Sequence, residues 1–403
     1  MAILHPFRAV RPHADHVADI ACVPYDVIST DEAFQLAEGK PLSFLHVIRP
    51  EIDLAPGTDE HADEVYATGA RNLAAFVAGG FTLQENDPSV YLYRLVMNGR
   101  EQTGIFGCVA VSDYDSDVIL KHEKTRVSKE DDRTRHILEQ RAHAEPVMLT
   151  FRDDPEVLAS MAECATSQPL YDFTAVDGIR HTVWKFTDPP SLVEVFQDRV
   201  DRLYVADGHH RCKAASRAAA ECAQTDDPST EVAYFPAVLF PMGMMRIMAY
   251  NRFIRKVPQG VDALLGSLQE RFGLTSGAQP LPTDKGSVSI YARGVWYGLS
   301  LPPSAGSTPA ETLDVSLLTE HVLEPLLGIV DPRTDSNIDF VGGIRGTAEL
   351  VRLVDSGRAD IAISMVPTGV DELLAVSDAG QLMPPKSTWF EPKLRSGLLV
   401  HLF

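Results

Sequence analysis

Long apolar runs are missing from this 403-residue chain. Its most membrane-like stretch, YFPAVLFPMGMM (234–245), is broken by Pro236 and Pro241 and falls short of the roughly twenty apolar residues a spanning helix needs. The opening residues, MAILHPFRAVRPHADH, contain no apolar core of a secretory signal. No membrane partner is expected. Cysteine is scarce as well: Cys22, Cys108, Cys164, Cys212 and Cys222 are odd in number, scattered and without a CxxC pair. That pattern indicates neither a disulfide framework nor a structural zinc, and a reducing cytoplasm is the expected compartment. Positive charge is the third shortage. With 36 Lys and Arg against 56 Asp and Glu, the net charge is −20, and such a surface repels nucleic-acid phosphates. No helix-turn-helix, basic tail or Walker glycine spacing offsets it. Nucleic acid is therefore not an expected partner, and a nuclease would need a local basic cleft.

What is present is an ordinary globular composition, 45% hydrophobic and 23% charged, in a chain longer than the ~250–300 residues at which single cores stop growing. Two or three lobes are expected. YLYRLVMNGREQTGIFGCVAV (91–111) reads as a hairpin about Asn98-Gly99, both residues that tolerate positive φ, and SVSIYARGVWYGLSL (287–301) reads as a second. SKEDDRTRHILEQRAHA (128–144) reads as a helix capped by Ser128, and further helices are expected near 60–79, 211–223, 260–272, 313–327, 346–357 and 369–379. Hairpins and helices without strict βα alternation give an α+β class, mixed sheets with packed helices. Proline, glycine and polar clusters at 224–231, 276–286 and 302–311 read as loops. They permit a boundary near 255, separating a catalytic domain (1–255) from a C-terminal α+β domain (256–403) whose tail (383–403) packs back on the body.

The stretch RLYVADGHHRCKAASRAAAEC (202–222) concentrates unusual chemistry. Leu203–Ala206 is a short buried strand, Asp207-Gly208 a turn, and from about His210 the composition forms a helix. Such a junction aims unbonded backbone N–H groups and a positive dipole end at whatever lies in front of it, and adds two imidazoles and a guanidinium. An anion, most naturally phosphate, is the expected occupant. The bland alternative is a capped turn with surface histidines. Zinc is a poorer fit, because neighbouring histidines diverge on a regular backbone.

ADGHHR (206–211) followed by a small-residue helix resembles the signature of the ParB/sulfiredoxin-like superfamily, and in particular of the free serine kinases, which carry a DGHHR motif. HPFRAVRP (5–12), PYDVI (24–28), RPE (49–51), KHEKT (121–125), ADGHHR and MPPKSTWFEPKLRSGLLV (383–400) together resemble, from end to end, a widespread bacterial and archaeal family known as a domain of unknown function. The first resemblance implies a ParB/sulfiredoxin-like core around the turn. It makes Asp207, Gly208, His209, His210 and Arg211 phosphate-handling residues, with Asp207 the metal-side carboxylate. The kinases' general-base glutamate has no securely aligned motif here, which leaves Glu51 and Glu123 as candidates. The second implies an association with serine biosynthesis and hence phosphoserine chemistry. Cys212 stands where relatives more often have an aromatic residue, a departure that touches packing.

Two distant segments could complete such a site. Residues 121–141 hold seven Lys or Arg against five Asp or Glu, a basic patch in an acidic protein. If this segment faces a cleft, Lys121 and Lys124 could neutralise phosphoryl oxygens, Glu123 could accept a hydroxyl proton or hold Mg2+, and His122 and Thr125 could touch substrate. If it does not, it is a solvated charged loop. In the tail, Lys386, Ser387 and Thr388 are further phosphate candidates, whereas Trp389, Phe390 and LLVHLF are expected to be buried. Asn251 and Arg252 follow a probable strand and are candidate substrate contacts. The Met-rich PMGMMRIM reads as core filling.

The resulting expectation is phosphoryl transfer on free serine, phosphoserine or a similar small hydroxy acid, in the kinase or the phosphatase direction. Mg2+ and a nucleotide or pyrophosphate donor are the expected cofactors, and a small phosphate-bearing molecule the expected partner. The alternative is a non-catalytic nucleotide-binding regulator of the ParB-like superfamily.

Overall fold

The computed structural model describes residues 1–225, 229–306 and 308–403, so the loops read at 224–231 and 302–311 lie partly outside the described residues. The chain forms two compact units, Met1–Met245 with Pro392–Phe403, and Arg246–Glu391. The division falls ahead of residue 255 because Tyr250–Ile254 is a strand of the second unit, paired on both sides with Ile338–Gly342 and Ile361–Met365. The last twelve residues, in turn, belong to the first unit.

The first unit is built on a mixed sheet of β1 (Leu4–His5), β2 (Tyr91–Met97), β3 (Arg100–Ala110), β4 (Ile119–Leu120), β5 (Val147–Phe151), β6 (Tyr171–Thr174), β7 (Arg180–Lys185), β8 (Leu203–Asp207) and β9 (Tyr234–Pro241). The order is β4-β8-β5-β9-β3-β2-β7-β6, with β1 also on β3. The β4/β8 and β5/β9 pairs are parallel and the rest antiparallel. The β2–β3 hairpin turns at Asn98 (φ 53°) and Gly99 (φ 76°), the positive-φ pair the sequence calls for. Central strands are apolar on both faces: Leu149, Val205, Ala237 and Leu239 are completely buried, as expected of strands covered on both sides.

Three helices matter for the site: α1 (Asp63–Ala78), α2 (Val127–Gln140) and α3 (His209–Cys222). Ala214, Ala215 and Ala218 on α3 are almost completely buried, and their small side chains let α2 and α3 pack closely. Helix α2 differs from its expected span. Arg126 occupies the N-cap position instead of Ser128, and the helix stops at Arg141, which is left-handed (φ 53°). Ala142–His143 then pairs with His401–Leu402. Backbone pairing with the returning chain end outweighs helix propensity there. Bridges from Val10 to Val400 and from Cys22 to Ser396 stitch the same segment in, and Leu398, Leu399 and Val400 are buried.

The second unit carries an antiparallel sheet of β10 (Tyr250–Ile254), β11 (Thr275–Ser276), β12 (Ser287–Ala292), β13 (Val295–Ser300), β14 (Ile338–Gly342) and β15 (Ile361–Met365), in the order β11-β13-β12-β15-β10-β14. Its hairpin turns at Arg293 and Gly294, both at positive φ. Ile247–Met248 pairs with Trp389–Phe390 in a separate ribbon. Among the described residues, no helix is long and apolar enough to cross a membrane.

Candidate functional site

Strand β8 ends on Asp207, and Gly208 starts α3 from a left-handed conformation (φ 101°, ψ 30°). The position admits little else. A Cβ on Gly208 would sit 3.1 Å from Val147 Cγ1 and 3.2 Å from the Arg211 guanidinium. The N-cap is a glycine and no side-chain cap forms there; the Asp207 carboxylate takes the Gly208 N–H, which lies ahead of the first turn.

The two histidines that follow each accept a backbone N–H from the 122–126 segment. His122 N–H donates to His209 Nε2 at 3.5 Å, and Arg126 N–H donates to His210 Nε2 at 3.0 Å. Both rings therefore carry their proton on Nδ1 when neutral. Neutrality is what burial enforces. It pushes His209 well below the ordinary imidazole range, helped by His122 and His210, and it lowers His210 despite the Asp26 and Glu130 charges. The Nδ1 face of His209 lies 3.9 Å from Glu123 Oε2, a half-exposed carboxylate. His122 packs edge-on to His209, ring centroids 4.4 Å apart, and is 2% exposed. Among the described residues neither of its ring nitrogens has a well-formed hydrogen bond, the Val205 backbone being the nearest partner. Burial lowers its pKa to about 4, against the Asp207 charge and the nearby Val205 backbone.

Arg211 points back under the turn. It is 8% exposed and donates to the Pro146 carbonyl. Its guanidinium lies 3.5 Å from Asp207 Oδ2 and 3.9 Å from Asp26 Oδ2. Burial opposes its charge, but Asp26, Asp207 and Glu145 more than compensate and raise its pKa. On the other side of Asp207, Lys393 Nζ lies 3.3 Å from Oδ2. Burial works against an ionised Asp207, yet Lys393 and Arg211 hold its carboxyl below the usual carboxylate range. Glu145 ties three segments together. It accepts from Tyr25 N–H at 3.1 Å and from Ser396 Oγ at 3.2 Å, while Arg133, stacked on the Tyr25 ring at 3.9 Å, lies 3.9 Å away.

Several sequence candidates lie outside this group. Lys121 pairs with Asp117 at 2.7 Å and sits over the Tyr114 ring. Thr125 donates to Glu130 at 2.5 Å, and Lys124 is exposed. Glu51 is buried against Arg49, 2.6 Å from its Nε. Asn251, Arg252, Lys386, Ser387 and Thr388 belong to the second unit. There Arg252 donates to the Lys386 carbonyl at 3.2 Å, Asn251 Oδ1 accepts from Met365 N–H, and Ser387 Oγ donates to the Pro384 carbonyl. Asp26, Glu145 and Lys393 are the members that sequence reasoning missed. Asp26 and Lys393 stood inside quoted motifs, and Glu145 precedes the proline that anchors Arg211, so a charge within two residues of a proline was the available signal.

Among the described residues, no group of three or more His, Cys, Asp or Glu is arranged to hold a metal ion. A magnesium ion needs fewer protein ligands than that when substrate phosphates supply the rest, and Asp207, kept ionised, has the chemistry for one such contact.

No curated protein matches the sequence. Among solved structures, the chain is similar to SbnI with a C-terminal truncation from Staphylococcus aureus, at 14% identity over 74% of this chain and 87% of that one, TM-score 0.39. It is also similar to a free serine kinase in complex with AMP, at 10% identity over 71% and 86%, TM-score 0.36. A conserved hypothetical protein from Pyrococcus furiosus matches at 11% identity over 71% and 90%, TM-score 0.32. The family described as a protein of unknown function, DUF1015, matches residues 4–316, and the chain belongs to that family.

Proposed function

We propose that the protein transfers a phosphoryl group to or from the hydroxyl of a small hydroxy acid, with free serine or phosphoserine as the substrate, in front of the Asp207–His210 turn of a ParB/sulfiredoxin-like core. The observation that carries this reading is the pinning of residues 122–126 by His209 and His210, which sets Glu123 beside an uncapped helix start where Asp207 already holds Lys393.

Each group then has a physical task. The N–H groups at the start of α3 bind phosphate oxygens, and Lys393, 14% exposed, neutralises charge on the transferring group. Asp207 is a poor base because it stays ionised, but it orients Lys393 and would be the protein contact for Mg2+, which would supply charge neutralisation on the phosphates. Glu123 takes the hydroxyl proton, with His209 Nδ1–H beside it. Glu51 is committed to Arg49, so the base falls to Glu123. Arg211 holds the turn from below, and Lys124, exposed on the pinned segment, is available to the donor's outer phosphates. In the kinase direction, the hydroxyl oxygen bonds to phosphorus as the donor's bridging P–O bond breaks and Glu123 receives the proton. A nucleotide or pyrophosphate is the donor.

The test is 31P NMR on purified protein with Mg2+. Serine is supplied with ATP, ADP or pyrophosphate, and phosphoserine is supplied alone, with ADP, with AMP or with inorganic phosphate. A phosphoserine signal that appears or disappears, and is lost in Glu123→Gln and Asp207→Asn, is the expected result. Nucleotide binding without turnover in any pairing, from folded protein, replaces this reading with the regulatory one.

A further inference from the structure

Five arginines are buried among the described residues, namely Arg49, Arg133, Arg211, Arg252 and Arg395. Four have an acid beside them: Glu51 for Arg49, Asp132 for Arg133, Asp207 for Arg211 and Asp177 for Arg395. Arg252 is the exception. It lies on β10, is 3% exposed, and has no carboxylate paired with it among the described residues. Its partners are the Tyr250 and Lys386 carbonyls and the face of Phe340, 5.5 Å from the guanidinium carbon. Without a counter-ion, burial lowers its pKa to about 10. Burying an unpaired charge is costly, and proteins that do so ordinarily supply a counter-charge.

The loop above it is built and also lacks acid. Lys386 holds a left-handed backbone (φ 58°) that a lysine rarely adopts. Its carbonyl is fixed by Arg252, and the next carbonyl, of Ser387, accepts from Thr368 Oγ1 at 2.9 Å. The Lys386 ammonium lies 5.2 Å from the Tyr250 ring centre, with no carboxylate paired to it among the described residues. Both cations thus meet Tyr250, the buried Arg252 at its backbone carbonyl and the exposed Lys386 at its ring, with Thr388 two residues along the loop. A guanidinium has five N–H donors, and the two carbonyls occupy only part of that fork.

We propose that Arg252 and Lys386 form an oxyanion site in the second unit, taking the phosphate or carboxylate group of a small molecule under the 384–388 loop. The site is independent of the reading at Asp207. The anion supplies the counter-charge that Arg252 lacks, and Lys386 closes over it from the exposed side.

Trp389 packs edge-on to Tyr250, centroids 5.1 Å apart, and provides a local reporter. In full-length protein with Trp184→Phe and Trp296→Phe, inorganic phosphate, pyrophosphate, acetate and succinate are titrated at constant ionic strength, with chloride as the control. A saturable change in Trp389 emission with a phosphate or a carboxylate, absent with chloride, is expected, and the tighter ligand identifies the group. Arg252→Met weakens that affinity by roughly tenfold or more, and Lys386→Gln by about threefold or more, as lost charge-assisted contacts do. Should Arg252→Met fail to fold, the exposed Lys386→Gln position carries the comparison. No saturable signal with any of the four anions, or unchanged affinity in the folded variants, overturns the site. Because the signal comes from the second unit, its absence leaves the phosphoryl-transfer assay unaffected.

Discussion

His122 is the sharpest point at which to test the site. The ring is 2% exposed, its nitrogens have no well-formed hydrogen bond among the described residues, the Val205 backbone being the nearest partner, and burial drives its pKa from 6.5 to about 4. Replacing it with leucine, of similar bulk, removes buried polar atoms that cost about 1–3 kcal/mol when unsatisfied. His122→Leu should therefore stabilise the first unit by about 1–2 kcal/mol at pH 7.5. The gain should grow in acid, and its sign follows from where the proton binds first. The unfolded imidazole takes a proton near pH 6.5 and the folded one only near 4, so the wild type loses stability as pH falls between those values. At pH 5 the loss from this one group is about 2 kcal/mol, from 1.36 kcal/mol per pH unit, and the leucine variant escapes it. The assay is urea unfolding at pH 7.5 and 5.0 in a Trp296→Phe, Trp389→Phe background, followed by Trp184, which lies on β7 of the first unit. The same variant should lose phosphoryl transfer, because the wall against which His209 packs is changed. A variant less stable than wild type at both pH values would show that the ring has a real partner, the Val205 backbone being the one to suspect, and would refute the reasoning.

Three further perturbations probe neighbouring pieces. Gly208→Ala forces a Cβ into φ 101° and to within 3.1 Å of Val147, which should cost about 2–4 kcal/mol in urea unfolding, and an unchanged midpoint would contradict the turn geometry. His210→Ala removes the acceptor for Arg126 N–H and should weaken the first turn of α2 by about 1 kcal/mol, read as faster amide exchange over residues 126–130; unchanged protection there would mean that the pin carries no load. Lys393→Met leaves Asp207 with Arg211 as its remaining cation. Turnover should fall by about a hundredfold. The acid limb of kcat/KM should also move to higher pH, since a carboxyl no longer held down by Lys393 is protonated earlier as pH falls.

How much of this was legible depended on distance along the chain. Both hairpins could be read because Asn98-Gly99 and Arg293-Gly294 settle their turns locally, and the DGHHR turn could be read because Gly208 and a run of alanines announce a strand-to-helix junction. The end of α2 could not, since Ala142 and His143 are claimed by residues 401 and 402. Nor could the roles of Asp26, Glu145 and Lys393. An isolated charge in a sequence has no address, and these three come to the turn from segments far from it and from one another along the chain.

The paired histidines show how a legible motif can carry a structural task that its sequence does not announce. As a sequence they look like two ligands for one anion. Successive residues on a helix diverge by about 100°, however, so adjacent histidines serve badly as a convergent pair and well as two separate anchors. Here they anchor the two ends of one segment, His209 at the His122 amide and His210 at the Arg126 amide. A segment held at both ends keeps what lies between them, Glu123, Lys124 and Thr125, in one place relative to the helix start. Both anchors work as neutral acceptors, which is the state burial imposes on them. The demand for two consecutive histidines then follows from the length of the segment they hold, and a single histidine would leave one end of it loose.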